Sequence, residues 1–480
     1  MPDWSDDKRE SIKHTVIGLI AVHAVCVIAV LGLPFKWNIL LLIFLLAATS
    51  ALVFRPKLSF ATFFMLLIIY AVPLERWNWK VWFTLRPIIV VSLFCFYLML
   101  IRHSLVGFRV NRRTKQILLL FCMMTGAFLF SSVNALSFLK SFRVTVLNMT
   151  LFMLFFIVVQ LTTDVTRLRK YIGHWMIAGS LLCLFGLAQL IGNLYGLDLD
   201  ALLFPSFELM PMGHTEFNLA GMVGFRIRSM FTDTNNFAGF LNTVFPFFLA
   251  AAIYFLSIRM RRRFLLFAVG SLIVGSTLIL TLSRSGWVGL LFGLTVVLVD
   301  KRRHIFRYGN VKYILLPLLL LLLAVAPLSE FVSRSVEGRL VEDRSLEIHR
   351  FVAQSAISMF YRNPIFGVGI GNWGEYYGRY YKPGHEHWNA HSAYLQILSE
   401  VGIVGFVLYL VLFYLVLKQI LYFKKNTRGY DSEVLGSGLL AGFIALLGAN
   451  IFYQNYTFQF FIVFLGLSFV SGNVVERQEE

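Results

Sequence analysis

The feature that most limits what this chain can fold into is a series of apolar runs, each approaching or exceeding the length needed to cross a lipid bilayer. Examples are TVIGLIAVHAVCVIAVLGLP (15–34), LLLFCMMTGAFLFSSV (118–133) and YILLPLLLLLLAVAP (313–327). A membrane-spanning helix needs roughly 20 mostly apolar residues. Charged residues make up 14% of the chain, against about a quarter in soluble domains. The sequence therefore predicts an all-α, polytopic membrane protein.

Basic clusters separate the apolar runs in pairs and fix the predicted topology. Cytoplasmic loops of membrane proteins carry an excess of Lys and Arg, so placing every cluster inside puts both termini inside and gives about 12–14 spans. The clusters lie at 6–13, 54–57, 102–115, 166–170, 259–263, 301–312 and 418–428. The apolar segments lie at 15–34, 37–54, 58–75, 85–101, 116–134, 145–162, 171–192, 236–256, 264–282, 285–300, 313–328, 395–417, 435–454 and 457–473.

This topology divides the chain into four regions. Residues 1–192 form an N-terminal transmembrane region, and residues 193–328 a second one that carries two arginine motifs. Residues 329–394 form a large extracytoplasmic loop, and residues 395–480 the C-terminal transmembrane helices. Within the loop, SLEIHRFVAQSAISMFYRNP (345–364) has the pattern of an amphipathic helix lying at the membrane interface.

Composition excludes several classes of protein. A net charge of +18 suggests nucleic-acid binding in a soluble chain, but in a membrane protein it indicates basic cytoplasmic loops, so we expect no nucleic-acid partner. All four cysteines lie inside apolar runs, which predicts packing residues rather than disulfides or a metal site. The first apolar run is too long for a signal peptide and lacks a clear cleavage site after it, so we interpret it as a retained span.

Two arginine motifs fall on the predicted outer side. GFRIRSMFTDTNNFAGF (224–240) brings Arg226, Arg228 and Asn236 to the start of a span, and LTLSRSGWVG (280–289) places Arg284 in a tight turn between spans. Arginines at the membrane boundary either extend their charged ends toward water or have a function. Because guanidinium grips phosphate oxygens bidentately, several arginines on one side favour an outward-facing diphosphate site.

Histidines end the predicted outer loop in GHEHWNAH (384–391). The spacing of His385, His387 and His391 is compatible with zinc, but Pro383 and Gly384 stand just before it and no cysteine is near, so we expect no metal. His391 is either a solvated or structural histidine or an acid–base group, and we favour the last. Histidine titrates near neutral pH and can take a proton from a sugar hydroxyl.

A glycine motif precedes these histidines. GIGNWG (369–374) matches the dinucleotide-binding pattern GxGxxG, but no predicted strand stands before it and it lies outside the cell. We therefore reject a nucleotide cofactor and expect the glycines to permit a tight turn that re-enters the membrane interface.

Four motifs together resemble the bacterial O-antigen ligase and polymerase superfamily, in the order typical of that family. They are RSMFTDTNNFAG (228–239), LTLSRSGWVG (280–289), RNPIFGVGIGNWG (362–374) and HSAYLQILSEVGIVG (391–405). The resemblance covers roughly residues 220–410 and is most specific in the last motif. One departure is Ser392, since many relatives have Asn after the histidine.

The resemblance implies glycosyl transfer without metal or nucleotide, outside the bacterial cytoplasmic membrane. The donor would be an undecaprenyl-diphosphate-linked glycan, and the acceptor a hydroxyl on a glycan or lipid. By resemblance, His391 would activate that hydroxyl, and Arg228 and Arg284 would bind the departing diphosphate. Residues in the same motifs or beside them are candidates for substrate binding or structure: Arg226, Asn236, Arg350, Tyr394 and Glu400.

Several activities remain open at this point. Ligases transfer the glycan to a lipid or wall acceptor, whereas polymerases transfer it to another lipid-linked repeat; the sequence does not decide between them. Transfer to protein is disfavoured, because members that glycosylate proteins often carry additional C-terminal soluble mass. A flippase for lipid-linked oligosaccharide would use charges near the bilayer midplane. Here the charges gather at the predicted outer boundary, which argues against transport.

Overall fold

The computed structural model describes residues 60–72, 79–80, 84–85, 111–199, 216–219, 222–307, 343–385 and 389–479. Within these ranges, eight helices are long and apolar enough to cross a membrane by length and composition. The predicted all-α, polytopic fold is therefore confirmed, and the chain is a multi-pass membrane protein. The predicted spans at 15–34, 37–54 and 313–328, and nearly all of 85–101, lie outside the described residues.

The helices follow the predicted apolar segments closely, with the predicted interfacial helix present as α8. They are α1 (Phe60–Ala71), α2 (Arg112–Ser131), α3 (Phe138–Leu161), α4 (Val165–Leu194), α5 (Thr234–Ser257), α6 (Arg261–Leu280), α7 (Arg284–Arg307), α8 (Asp343–Arg362), α9 (Trp373–Tyr380), α10 (Ala393–Asn426), α11 (Ser437–Ala449) and α12 (Gln459–Glu479). Two short antiparallel hairpins accompany them: β1 (Trp79–Lys80) with β2 (Thr84–Leu85), and β3 (Glu216–Leu219) with β4 (Met222–Phe225).

Helix α5 lies at the centre of the bundle and contacts α6, α7 and α11. Its side chains are buried almost all the way round, as expected for a helix that is apolar on every face. Aromatic rings pack around its N-terminal half. Phe231, just before the helix, and Phe240, within it, both make T-shaped contacts with Phe460 of α12. A polar contact fixes its rotation, since the Trp175 indole of α4 donates to the Thr243 hydroxyl at 2.9 Å.

Short polar side chains define where several helices begin. Asn111, Asp164, Asp233 and Ser392 each accept a hydrogen bond from a backbone N–H of the following turn. Such N-caps satisfy donors that have no partner within the helix. Two of these caps, Asp233 and Ser392, belong to motifs that the sequence singles out, so helix boundaries there are set by the same residues that carry the candidate site.

Helix α10 is broken near its N-terminal end at Gly402, which has φ 66° and ψ −165°. The break removes the helical bonds from Ile403 to Ser399 and from Val404 to Glu400. In their place, the N–H groups of Ile403 and Val404 donate to the carbonyls of residues 364 and 365 at 2.8 and 3.3 Å. The carbonyls of Ser399 and Glu400 accept from the N–H groups of residues 368 and 369 at 2.9 and 3.0 Å.

The partner of this break is the glycine segment, which we define as residues 364–373. Its Gly367, Gly369 and Gly371 all have positive φ, and a Cβ built at Gly367 would overlap the Glu400 backbone. The predicted tight turn is therefore confirmed. Backbone that is not helical is tolerated at membrane depth only where the protein satisfies its polar groups, and here the glycine segment does so.

We expect Gly402→Ala to destabilise the protein. Its backbone lies in a region that is essentially restricted to glycine, at a cost of about 1–3 kcal/mol for other residues, and an added Cβ would also overlap the Ile365 carbonyl. The measurement is the melting temperature in detergent. Gly126→Ala in α2 is the matched control, because a Cβ there meets nothing within 4 Å and alanine favours the helix. Equal melting temperatures for the two variants would contradict the expectation.

Candidate active site

Arg284 is the first residue of α7 and follows a tight turn from α6. Leu282 in that turn has φ 52°, and the Arg284 side chain is exposed. The helix thus starts one residue earlier than the predicted span at 285–300. Its N-terminal dipole and the guanidinium place positive charge at the same point, which favours an anionic ligand there.

The first arginine motif packs directly against this turn. Arg226 donates from Nε to the carbonyl of Thr281 at 3.2 Å and from its terminal nitrogen to the carbonyl of Leu282 at 3.4 Å. The Asn235 side-chain oxygen accepts a hydrogen bond from the Ser283 hydroxyl at 2.7 Å. The two motifs, which lie about 50 residues apart in sequence, therefore form one structure. Arg226 thus binds the two carbonyls that follow the C-terminal end of α6.

Arg228 lies in the loop that enters α5, and its side chain is only 6% exposed. The following residue, Ser229, has φ 53° and is held by α4. Its N–H donates to the Gln189 side chain at 3.0 Å, its carbonyl accepts from the same side chain at 3.2 Å, and its hydroxyl donates to the Leu182 carbonyl at 2.9 Å. Arg228 is thereby fixed beside a rigid helix. A buried cation of this kind is costly unless it has a role or partners.

His391 stands immediately before the N-cap of α10 and is partly exposed. Its φ is 51°, a left-handed conformation that is uncommon for a residue with a side chain. Hydrogen bonds fix the backbone on both sides of His391. The Ala390 N–H donates to the Gln396 side chain at 2.9 Å, and the Ala393 N–H donates to the Asn450 carbonyl at 2.9 Å. The ring is therefore presented from a fixed backbone.

Glu400 is buried and serves the glycine segment. Its carboxylate accepts from the N–H groups of Gly371 at 2.9 Å and Trp373 at 3.2 Å, and from the Gln396 amide at 2.5 Å. These contacts give Glu400 a structural role. The predicted contribution of Glu400 to substrate binding is not tested by this geometry.

The turn between α2 and α3 holds the other side of the glycine segment. Asn372 accepts from the Ser137 N–H at 2.8 Å and donates to the Ser141 hydroxyl at 2.8 Å, while Asn134 donates to the Gly367 carbonyl at 3.0 Å. On α9, burial raises the pKa of the Tyr377 phenol, which stacks on Trp373. The glycine segment is thus anchored to the bundle through hydrogen bonds to several elements.

The remaining predicted site residues have different surroundings. The Tyr394 hydroxyl donates to the Leu447 carbonyl at 2.8 Å and ties α10 to α11. Asn236 is buried in the first turn of α5, beside the arginine motif. Arg350 is exposed on α8. Their predicted roles in substrate binding stay predictions.

The loop between α11 and α12 joins the arginine motifs to the histidine. The Asn450 carbonyl accepts from Ala393, two residues after His391, and the Asn450 side chain accepts from the Asn455 N–H at 3.1 Å. The Asn455 side chain in turn lies against Gly239 near the start of α5. Arg228, Arg284 and His391 are therefore gathered at one end of the bundle.

The opposite ends of the same helices carry a cluster of ion pairs. Lys301 pairs with Glu433, Lys424 pairs with Asp300, and Arg169 binds Asp431 bidentately at 2.9 Å. We call this the basic end. Lys424 lies in the last turns of α10, whereas His391 precedes its first residue. Beyond the break at Gly402 the helix rises about 1.5 Å per residue, which places the two side chains at opposite ends of the bundle. The predicted inside clusters and the predicted outside motifs thus separate to opposite ends.

The sequence analysis did not single out Gln396, Gln189, Asn372 or Asn450. Each is a buried amide residue. Gln189, Asn372 and Asn450 have partners far away in sequence, whereas Gln396 bonds to the nearby Ala390 and Glu400. A signal existed for Gln396 and Gln189, because a polar side chain within an apolar run is unusual in a membrane helix. Its role, however, depends on contacts that the sequence does not reveal.

The fold and this arrangement define a multi-pass helical membrane protein with arginines and a histidine gathered at one end of its bundle. Comparison with protein families matches residues 269–410 to the family described as O-antigen ligase. Residues 269–410 therefore resemble an O-antigen ligase domain, and the predicted resemblance to this superfamily is confirmed over that segment. A comparison with curated proteins finds no match.

The matched segment contains part of the predicted site. Arg284, Arg350, His391 and Glu400 lie within residues 269–410, whereas the motif with Arg226 and Arg228 precedes them. The match indicates a membrane protein of the O-antigen ligase or polymerase type, with an activity of the glycosyl-transfer kind. The hydrogen bonds from Arg226 to the turn before Arg284 attach the unmatched motif to the matched one.

Proposed function

We propose that this protein transfers a glycan from an undecaprenyl-diphosphate-linked donor to an acceptor hydroxyl on the outer side of the bacterial cytoplasmic membrane. The observation that carries the proposal is the contact between the two arginine motifs at the same bundle end as His391. A membrane-borne diphosphate and a water-borne hydroxyl meet at such a boundary. The role would be in the synthesis of cell-surface polysaccharide such as lipopolysaccharide or exopolysaccharide.

In the proposed reaction, His391 takes the proton of the acceptor hydroxyl. The freed oxygen attacks the anomeric carbon of the donor glycan, and the bond from that carbon to the diphosphate oxygen breaks. Both electrons of that bond leave with undecaprenyl diphosphate. Histidine is the side chain that most readily exchanges a proton at neutral pH, which suits this step.

Arg228 and Arg284 act on the leaving group. Negative charge increases on the diphosphate as its bond to the sugar breaks, so fixed cations there stabilise the transition state more than the ground state. Arg228 is held by the contacts of Ser229 with α4, and Arg284 by the start of α7. Fixed cations are effective because little reorganisation is needed when the charge develops.

The reaction needs neither a metal nor a nucleotide in this proposal. The diphosphate bond of the donor supplies the driving force, and the arginines supply the positive charge that a metal ion provides elsewhere. The acceptor is a glycan in a polymerase and a lipid in a ligase, and the experiment below distinguishes the two.

The test is transfer by purified protein in detergent. The donor is lipid-linked glycan extracted from cells that lack this protein, where unused donor accumulates. Lipid acceptors from the same cells are added in one reaction, and donor alone is used in the other. Release of undecaprenyl diphosphate is followed by mass spectrometry.

Release that requires the lipid acceptor indicates a ligase, and release with donor alone, together with longer glycans, indicates a polymerase. Movement of glycan across vesicles without release in either reaction would overturn the proposal in favour of a flippase.

The proposed orientation makes its own prediction. We expect positions near residues 260, 305 and 425 to face the cytoplasm, and positions near 210 and 375 to face outward. Single cysteines at the exposed sites Met260, Lys425 and Arg379 test this in a variant without the native cysteines. Only Arg379→Cys should react with an impermeant thiol reagent on intact spheroplasts. All three should react after detergent is added, which controls for accessibility. Reaction of M260C or K425C on intact spheroplasts would contradict the orientation and the chemistry.

A further inference from the structure

We infer that Gln396 is a positioning residue that holds His391 in its working conformation; this inference rests on the proposed function. Gln396 does not belong to the arginine motifs or to the loop with the histidines. It lies on the second turn of α10 and is 6% exposed. Its side-chain amide connects the backbone beside His391 to the buried carboxylate that anchors the glycine segment.

The amide of Gln396 has two partners of opposite kind. Its oxygen accepts the N–H of Ala390 at 2.9 Å, and its nitrogen donates to Oε1 of Glu400 at 2.5 Å. A backbone N–H can only donate, and a carboxylate bonded to two other N–H groups acts as an acceptor. The orientation of the amide is therefore fixed by its partners. Neither an ammonium nor a carboxylate side chain at this position satisfies both partners in this way.

The bond to Ala390 matters because of the conformation of the next residue. His391 has φ 51°, a left-handed conformation that is unfavourable for a residue with a side chain. Such a conformation persists only where the surrounding structure determines it. Ala390 is held by Gln396 before His391, and the Ser392 cap and the bond from Ala393 to Asn450 hold the chain after it.

The hydrogen bond to Glu400 restrains the Gln396 side chain itself. Glu400 also binds the N–H groups of Gly371 and Trp373, so Gln396 is fixed to the glycine segment as well as to its own helix. Ala390 itself packs in a small apolar cluster with Val352 and Trp373. The direction of the His391 ring is thus set by a connected set of buried groups that does not include the ring.

Loss of the two hydrogen bonds of Gln396 should affect the chemical step more than binding of the donor. A misplacement of about 1 Å can reduce a rate about 10²-fold, because reacting groups must be aligned. The arginines that bind the diphosphate lie on α7 and on the loop before α5, which Gln396 does not contact. We therefore expect Gln396→Met, which keeps the shape and removes both hydrogen bonds, to lower kcat about 10- to 100-fold with an unchanged KM for the donor.

The test compares Gln396→Met with Gln419→Met by release of undecaprenyl diphosphate from lipid-linked glycan extracted from cells that lack the protein. Gln419 is the matched control, since it lies on the same helix at the basic end, is 5% exposed and accepts a hydrogen bond from Arg113. Gln419→Met should keep its kcat. A kcat of Gln396→Met within a factor of two of wild type, or a loss shared equally by both variants, would overturn the inference, as would a rise in donor KM that accounts for the loss.

Two further variants keep the test decisive. If Gln396→Met does not extract as a folded protein, Gln396→Asn replaces it, because its shorter amide cannot reach both Ala390 and Glu400, and the same split between kcat and KM decides. His391→Ala separates the inference from the proposed function. An active His391→Ala means that the acid–base proposal has failed. An inactive His391→Ala beside a fully active Gln396→Met means that only the positioning role has failed.

Discussion

Arg228→Ala and Arg284→Ala are each expected to lower glycan transfer at least about 10²-fold while the protein still inserts into the membrane. Removing one fixed donor from a site that stabilises developing charge costs about 10²–10³ in kcat. The backbone at Arg228 is fixed through Ser229, and Arg284 begins α7, so the alanine variants should lose charge at the leaving diphosphate without displacing the helices. The measurement is kcat for release of undecaprenyl diphosphate.

The control for these variants is Arg262→Ala in the first turn of α6. Arg262 is exposed at the basic end, so its loss removes an equal charge far from the site and should leave transfer unchanged. Arg284→Lys adds a sharper comparison. A lysine keeps the charge but not the bidentate grip, so this variant should fall well below wild type. Full activity in Arg284→Ala would mean that the side chain only extends toward water at the membrane boundary.

His391→Ala is expected to lower transfer at least about 10²-fold, which is the lower end for loss of a general base. Alanine also disfavours the left-handed backbone conformation at this position, so His391→Asn is the matched variant. Asparagine tolerates that conformation and cannot act as a base at neutral pH. Both variants should be inactive, and an active His391→Asn would show that the position matters for the backbone rather than for proton transfer.

The neighbouring histidines distinguish this role from a metal site. His385→Ala and His387→Ala should keep most of their activity, and a chelator such as EDTA should have no effect. His385 contacts the carbonyl of Pro383 at 3.1 Å, and His387 lies outside the described residues. Loss of activity in all three alanine variants, reproduced by the chelator, would support zinc and contradict the acid–base assignment.

Much of this fold follows from hydropathy and charge alone. Apolar runs of nearly constant length predict helices because a bilayer leaves the backbone few alternatives. The basic clusters at 301–312 and 418–428 predict which helix ends lie together, and the structure places Lys301 and Lys424 at one end. The arginine and histidine motifs were likewise found from residue types that are costly at a membrane boundary.

Other features depend on tertiary contacts and could not be predicted. The left-handed backbone of His391 follows from bonds on either side of it, and no local sequence preference requires it. The pairing of Asn235 with Ser283 joins two motifs that read as independent in the sequence. The hairpin of β3 and β4 was not predicted either, because its strands are only four residues long.

The exchange of hydrogen bonds between the broken helix α10 and the glycine segment limits how relatives can be recombined. Four backbone groups on each side must match in register, and the turn between α2 and α3 must receive the same segment. A chimera that replaces residues 343–391 alone would leave Ser399, Glu400, Ile403 and Val404 facing an unsuited partner. Transplanting this part of the structure from a related protein therefore requires moving residues 131–141, 343–391 and 392–405 as one unit.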